Sequence, residues 1–240
     1  NWNAQPTCWP PARKPMTTPA QLPPTPVFAV LDGMDGCGKT TQAMRLVEGL
    51  ARLRSGNGPG TGGPLHLREP GSTVAGERIR ALVLDPDVQL GSGSLALLFA
   101  AARRETLEQL VAPALAAGQD VVIERFHAST FAYQGGGGLT DEALLDMLHG
   151  WAGSPRPTIE VVLEIEPEDS FARAMARDGG GSDRFESRGL DFQRRVAERM
   201  HTYVERAPLA VGIDGRGTED EVARRVLEAV LRSAAEVRLA

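Results

Sequence analysis

With 240 residues, 42% of them apolar, the chain is long enough for one α/β domain with a substantial core and too short for two comfortable ones. Its net charge of −5 argues against a general affinity for nucleic acid or an anionic membrane surface. No apolar run approaches the ~18 residues of a membrane span, and Cys8 and Cys37 make no disulfide framework, so a reducing, cytoplasmic setting is expected.

Residues 1–25 are rich in Pro, Thr, Ala and Gln and show no apolar periodicity, which predicts a disordered extension before a single domain over 26–240. Val27 to Leu31 reads as a buried strand. It runs into Asp32-Gly33-Met34-Asp35-Gly36-Cys37-Gly38-Lys39-Thr40-Thr41, and a helix with Leu46, Leu50 and Leu53 at helical spacing follows. Gly33-x-x-x-x-Gly38-Lys39-Thr40 fits the P-loop pattern in its strand–loop–helix context. Glycines let successive backbone N–H groups turn toward phosphate oxygens, and the helix N-terminus adds partial positive charge. Residues 33–41 are therefore the candidate ATP site, with Lys39 for the β- and γ-phosphates and the Thr40 hydroxyl for Mg²⁺.

A Gly/Pro-rich connection over 55–64 leads to a short strand, Leu65 to Leu67, ending at Arg68. His66, between two leucines, reads as an ordinary strand residue. Helices are predicted from Gly76 to Leu84 and, as one long element, from Leu95 to Ala116, closed by Gly118. Val121 to Ile123 is the third strand, with Glu124-Arg125 at its end. Helices over 128–134 and Thr140 to Trp151 precede the fourth strand, Ile159 to Ile165. A short helix from Phe171 to Arg177, a glycine run at 179–181 and a helix from Leu190 to Arg206 lead to the fifth strand, Leu209 to Ile213. The last helix starts at a capping box, Thr218 with Glu221. Short apolar strands alternating with helices predict a five-stranded parallel sheet covered on both faces, a P-loop NTPase fold with a small lid near 171–187. Ligands bind such sheets at the carboxyl ends of the strands, where the glycine loop, Arg68 and Glu124-Arg125 fall.

Arg125 follows a buried strand directly, where a guanidinium can clamp an acceptor phosphate with two prongs. Phe99 and Arg103 are four apart and share one helix face. Phe99 alone reads as a core residue, but beside a planar donor it can stack on a base.

At this point the residues resemble the thymidylate kinases. Asp32 to Thr41 resembles their phosphate loop, and Arg68-Glu69-Pro70-Gly71-Ser72-Thr73 their motif after strand 2. Leu98-Phe99-Ala100-Ala101-Ala102-Arg103 resembles their base-binding helix, and Glu124 to Gly135 is similar to their Asp-Arg signature. Arg173 to Arg177 and Asp183-Arg184-Phe185-Glu186 resemble their lid. The resemblance implies transfer of the ATP γ-phosphoryl group to dTMP, with Mg²⁺, in a homodimer. It implies Phe99 stacked on thymine and Arg103, Thr130, Tyr133 and Gln134 around the base and sugar. It puts Arg125 and Arg68 at the acceptor phosphate, and Asp35 in support of metal and acceptor. Thr40 and Glu124 are the candidate metal ligands. Gly36 follows Asp35 where some members carry Arg, so the catalytic cation is expected from the lid: Arg177 first, then Arg173 and Arg184.

The chain departs from the family's pattern at Asp32 (usually Glu), Ala102 (Asp), Glu124 (Asp), Phe126 (Tyr), Met175 (Arg) and Met200 (Tyr). Strands 1 and 3 are expected to bring Asp32 and Glu124 together, one methylene having moved from one side to the other. Two other readings stay open: a deoxynucleoside kinase of related fold, and an ATP-binding regulator without turnover.

Overall fold

The computed structural model describes residue 22 and residues 24–55, 62–177 and 188–236. Five strands form one parallel sheet: β1 (Phe28–Gly33), β2 (Leu65–Arg68), β3 (Val121–Glu124), β4 (Ile159–Glu164) and β5 (Ala210–Asp214), in the order β2-β3-β1-β4-β5. β1 lies at the centre, with Leu31 opposite Glu124 on one side and Asp32 opposite Val162 on the other. Helices α1 (Lys39–Arg54), α2 (Val74–Leu84) and α3 (Ser92–Thr106) come first. They are followed by α4 (Ala112–Ala116), α5 (His127–Gly136), α6 (Glu142–Trp151), α7 (Pro167–Arg177), α8 (Leu190–Arg206) and α9 (Glu219–Glu236).

The two-residue period of a strand sorts the core. Ala29 and Leu31 of β1 pack with Leu46 and Leu50 of α1 and Val226 and Val230 of α9. Phe28 and Val30 point to the other face, toward Leu107, Val111 and Phe126. On that face Val162 of β4 meets α5 and α8 through Tyr133, Phe192 and Val196. Of the expected extension, Leu22 is buried in the α1/α9 cluster, and Arg54 Nη2 donates to the Thr25 carbonyl at 3.0 Å. Residues 1–21 and 23 lie outside the described residues.

The single long helix expected over 95–116 is instead two helices joined by a π-helical turn, Leu107–Val111. Pro113 explains it. Proline has no N–H and its ring collides with the carbonyl four residues back. A wider turn relieves both problems, and the Ala112 N–H reaches the Leu107 carbonyl five residues back. The capping box at α9 forms as expected: Thr218 N–H donates to Glu221 Oε2 at 2.8 Å, and Glu221 N–H to Thr218 Oγ1 at 3.3 Å.

One buried carboxyl on β4 takes its hydrogen bond from a neutral donor. Glu160 Oε2 accepts from the Tyr203 hydroxyl at 3.0 Å, and burial pushes the Glu160 carboxyl up from 4.5 to about 7. Its contribution to stability is full below about pH 4.5 and is lost as pH rises through about 7. Glu160→Gln keeps an acceptor for Tyr203 and removes the titration. The variant should be more stable than the parent at pH 8, on the order of 2 kcal/mol, with the difference fading toward pH 4.5. Urea midpoints across that range test this.

Candidate active site

The glycine loop leaves β1 and enters α1 with positive φ at three positions: Gly33 (+144°), Gly36 (+84°) and Gly38 (+92°). The first turn of α1 has no acidic residue, so its N–H groups stay available to an anion. The Met34 and Cys37 side chains are buried, which leaves only their backbones to face a ligand. Lys39 Nζ donates to the Met34 carbonyl at 3.2 Å and to Asp35 Oδ1 at 3.4 Å. Gly36 is fixed by crowding as well as by φ. A Cβ there would lie 2.1 Å from the Ser170 carbonyl oxygen and 2.9 Å from Ala174 N. α7 therefore rests directly on the loop, and the Ser170 hydroxyl donates to the Asp35 carbonyl at 2.7 Å.

Asp35 is the hub of the cleft. Its Oδ1 accepts from Lys39 and from Arg125 Nη2, and its Oδ2 from the Tyr133 hydroxyl at 2.8 Å. Burial pushes this carboxyl up. The Arg125 and Lys39 charges, with the Tyr133 bond, more than reverse that and hold it well below the usual carboxylate range. Arg125 has φ +66°, a left-handed conformation that costs a non-glycine residue about 1–3 kcal/mol. Its backbone N–H reaches the Leu31 carbonyl at 2.9 Å, Nη1 donates to Ser129 Oγ at 2.8 Å, and its guanidinium carbon lies 5.2 Å from the Tyr133 ring centre.

Glu124 Oε2 accepts from the Thr40 hydroxyl at 2.5 Å, and its Oε1 lies 3.0 Å from His66 Nε2. Burial raises the Glu124 carboxyl, but the His66 and Thr40 hydrogen bonds outweigh it and keep the group ionised. An ionised carboxylate next to a hydroxyl is a hard oxygen pair. It fits Mg²⁺, which takes few protein ligands and fills its shell with water and phosphate oxygens.

Opposite the loop, α3 and α5 form the other wall. Arg103, 3% exposed, donates from Nε to Glu69 Oε2 at 2.7 Å and from Nη2 to Thr130 Oγ1 at 3.0 Å; its Nη1 lies 3.0 Å from His127 Nδ1. Phe99, Thr130, Tyr133 and Gln134 line the same cavity of about 310 Å³, with Lys39, Thr40 and Asp35 across it. Arg68, which also pairs with Glu77 at 3.4 Å, lines its mouth.

A single cleft thus joins a phosphate loop to a wall with a ring and a guanidinium side by side. The sequence matches the thymidylate kinase family model over residues 31–226. It is 40% identical over 214 residues to a thymidylate kinase of Dinoroseobacter shibae, covering 88% of this chain and 97% of that protein. It is 42% identical over 172 residues to one of Jannaschia sp., covering 71% of this chain and 79% of that protein. The fold is similar to the crystal structure of thymidylate kinase from Ehrlichia chaffeensis, with TM-score 0.64 and 27% identity over 85% of this chain and 97% of that one. The chain belongs to the thymidylate kinase family. It is a phosphotransferase that converts dTMP to dTDP.

Within that family two of its departures, Asp32 and Glu124, have local explanations. Asp32 and Glu124 do not face each other, contrary to expectation. Glu124 is in register with Leu31, so Asp32, one residue on, points to the opposite face of the sheet. Fully buried, Asp32 accepts from the N–H groups of Phe126 and Ser129, each at 2.9 Å, and from Ser129 Oγ at 2.6 Å. Glu124 has an entirely different set of partners, Thr40 and His66.

Of the lid residues, Arg173 is exposed on α7 and does not line the cleft. The Arg177 side chain, Arg184 and the glycines at 179–181 lie outside the described residues. Sequence reading passed over His66, Arg80, Ser129 and Ser170. His66 was recoverable, because the two-residue period puts it on the same face of β2 as Arg68, which is in register with Glu124. Nothing in the residue type of Ser129 or Ser170 marks it.

Gly36→Ala tests the close approach of α7. The added Cβ meets backbone and the φ is unfavourable, so the variant should lose about 2–3 kcal/mol of stability by urea unfolding and bind ATP more weakly.

Proposed function

We propose that the cleft holds ATP on the glycine loop and dTMP against α3 and α5, with the ATP phosphate chain and the dTMP phosphate meeting at Asp35. The observation that carries this is the shared carboxylate. Lys39 from the donor side and Arg125 from the acceptor side converge on one anion. Without ligand, Asp35 keeps two cations from repelling each other. Incoming phosphates compete for both and are drawn to the same point.

The roles follow from the chemistry. Backbone N–H groups of Gly33 to Thr41 cradle the donor phosphates, and Lys39 bridges toward the transferred group. Arg125, supported by Arg68, holds the dTMP phosphate. A phosphate monoester with a second pKa near 6 already carries a free oxyanion at neutral pH, so attack needs no general base. That agrees with Asp35, whose low pKa makes it a poor base and a good fixed anion. Thr40 and Glu124 would hold Mg²⁺, which supplies charge neutralisation at the donor phosphates. Phe99 stacks on thymine, Arg103, Thr130 and Gln134 read its edge, and Tyr133 lies by the sugar. A lid arginine, Arg177 first and Arg173 or Arg184 next, covers the transferring group and excludes water.

A homodimer and a cytoplasmic location complete the reading. α2, α3 and α6 expose Val74, Leu97, Met147 and Trp151, apolar surface that a second copy would cover. Among the described residues no helix is long and apolar enough to cross a membrane.

Coupled ADP release with ATP–Mg²⁺ and a panel of dTMP, dUMP, dCMP, dGMP and thymidine tests the assignment. Turnover should depend on dTMP, and Lys39→Ala and Arg125→Ala should each lower kcat at least 100-fold or so. dUMP lacks one methyl group and should be used with efficiency lower by no more than roughly 200-fold. Turnover of thymidine but not dTMP would point to a nucleoside kinase. ATP binding without any turnover would point to a regulator.

A further inference from the structure

Arg103 stands in a wall between two cavities. In front is the nucleotide cleft. Behind lies a second cavity of about 330 Å³, lined by Phe131, Leu145, His149 and Tyr203, with Arg103 and Thr130 common to both. Close packing on one side therefore does not hold this guanidinium in place. Its hydrogen bonds do: Glu69 at Nε, Thr130 at Nη2 and His127 at Nη1, with the Phe126 ring centre 4.7 Å from its central carbon. Among the described residues three of its five N–H donors are used, leaving two for a ligand.

The His127 contact is the unusual one. A guanidinium can only donate, so Nδ1 of His127 must accept, and the ring carries its proton on Nε2. That Nε2 is buried with no partner among the described residues, so the ring forgoes one hydrogen bond there while making the other. The ring is fixed by stacking on His149, with centroids 3.7 Å apart and planes 17° apart. Burial, the Arg103 charge and His149 all push His127 below its ordinary pKa, which keeps the acceptor lone pair free.

We propose that His127 is a positioning residue that holds Arg103 against the nucleotide cleft, and so sets the enzyme's preference for a base with a ring carbonyl at that edge over one with an amino group. A guanidinium fixed there can donate to O4 of thymine. It meets only another donor at N4 of cytosine. Without His127, Glu69 and Thr130 still hold Nε and Nη2 but Nη1 loses its restraint, so the guanidinium can tilt toward the cavity behind and the donor at the base edge is less fixed. The proposal rests on Arg103 reading the base.

The test separates acceptor from packing. His127→Phe keeps a ring to stack on His149 and removes the acceptor. His127→Asn removes the ring but puts an oxygen where Nδ1 was. His127→Phe should raise the KM for dTMP about tenfold, leave the KM for ATP unchanged and narrow the dTMP-over-dCMP ratio of kcat/KM by a similar factor. His127→Asn should stay within about twofold of the parent on all three measures. The opposite pattern, with Phe unaffected or Asn impaired, overturns the proposal, and either variant alone suffices if the other does not fold. Arg103→Ala is the control. If it leaves the KM for dTMP unchanged, the assignment of Arg103 to the base is what fails. If it raises that KM while His127→Phe does not, the role of His127 fails alone.

Discussion

Two cations a few ångströms apart in a partly closed cleft repel each other unless an anion lies between them. Asp35 is that anion, and much of the local architecture serves to place it. Its backbone belongs to a loop that only glycines at 33, 36 and 38 allow to fold this way. Its carbonyl is fixed by Ser170 from α7, its N–H and Oδ2 by Tyr133 from α5, and its Oδ1 by Lys39 of α1 and Arg125 after β3. Three stretches far apart in sequence, around residues 35–39, 125–133 and 170, meet on one residue. A change in any of them shifts the separation between the Lys39 and Arg125 cations, the quantity on which in-line transfer depends under the proposed assignment.

The fold was largely legible because its signals are local. Each strand is an apolar run, each helix carries a 3.6-residue period, and the capping box at Thr218 and the stop at Gly118 mark ends that the structure reproduces. The π-helical turn before Pro113 was missed because periodicity continues through it. Only the missing N–H and the ring clash disturb the ladder, and an apolar pattern does not register them.

The site was legible to the extent that its chemistry is carried by distinctive residues in fixed spacing. Lys39, Thr40, Phe99, Arg103 and Arg125 converge on one cleft, as their types and positions imply. What could not be read is how the supporting groups connect. Ser129, Ser170 and His127 act through hydrogen bonds to Asp32, Asp35 and Arg103, over separations of 97, 135 and 24 residues. A serine or histidine has no signal of its own for such a role. The expected meeting of Asp32 and Glu124 failed for a plainer reason. Adjacent strands guarantee nearness of backbone, while side-chain direction is decided by register, and one residue of offset reverses it.

That reversal bears on how the family's pattern is altered here. Had the two carboxylates shared a space, lengthening one and shortening the other would be one compensated change. On opposite faces each needs its own accommodation. Asp32 finds it in the first turn of α5, whose Phe126 and Ser129 N–H groups lie within 2.9 Å of the shorter side chain. Glu124 finds it in β2, where His66 meets one oxygen of the longer side chain and leaves the other on Thr40. The longer arm would otherwise have an extra rotatable bond next to the Thr40 hydroxyl, and an imidazole across the strand restricts it. The two departures are thus separate local solutions, and the geometry ties Glu124 to His66 rather than to Asp32.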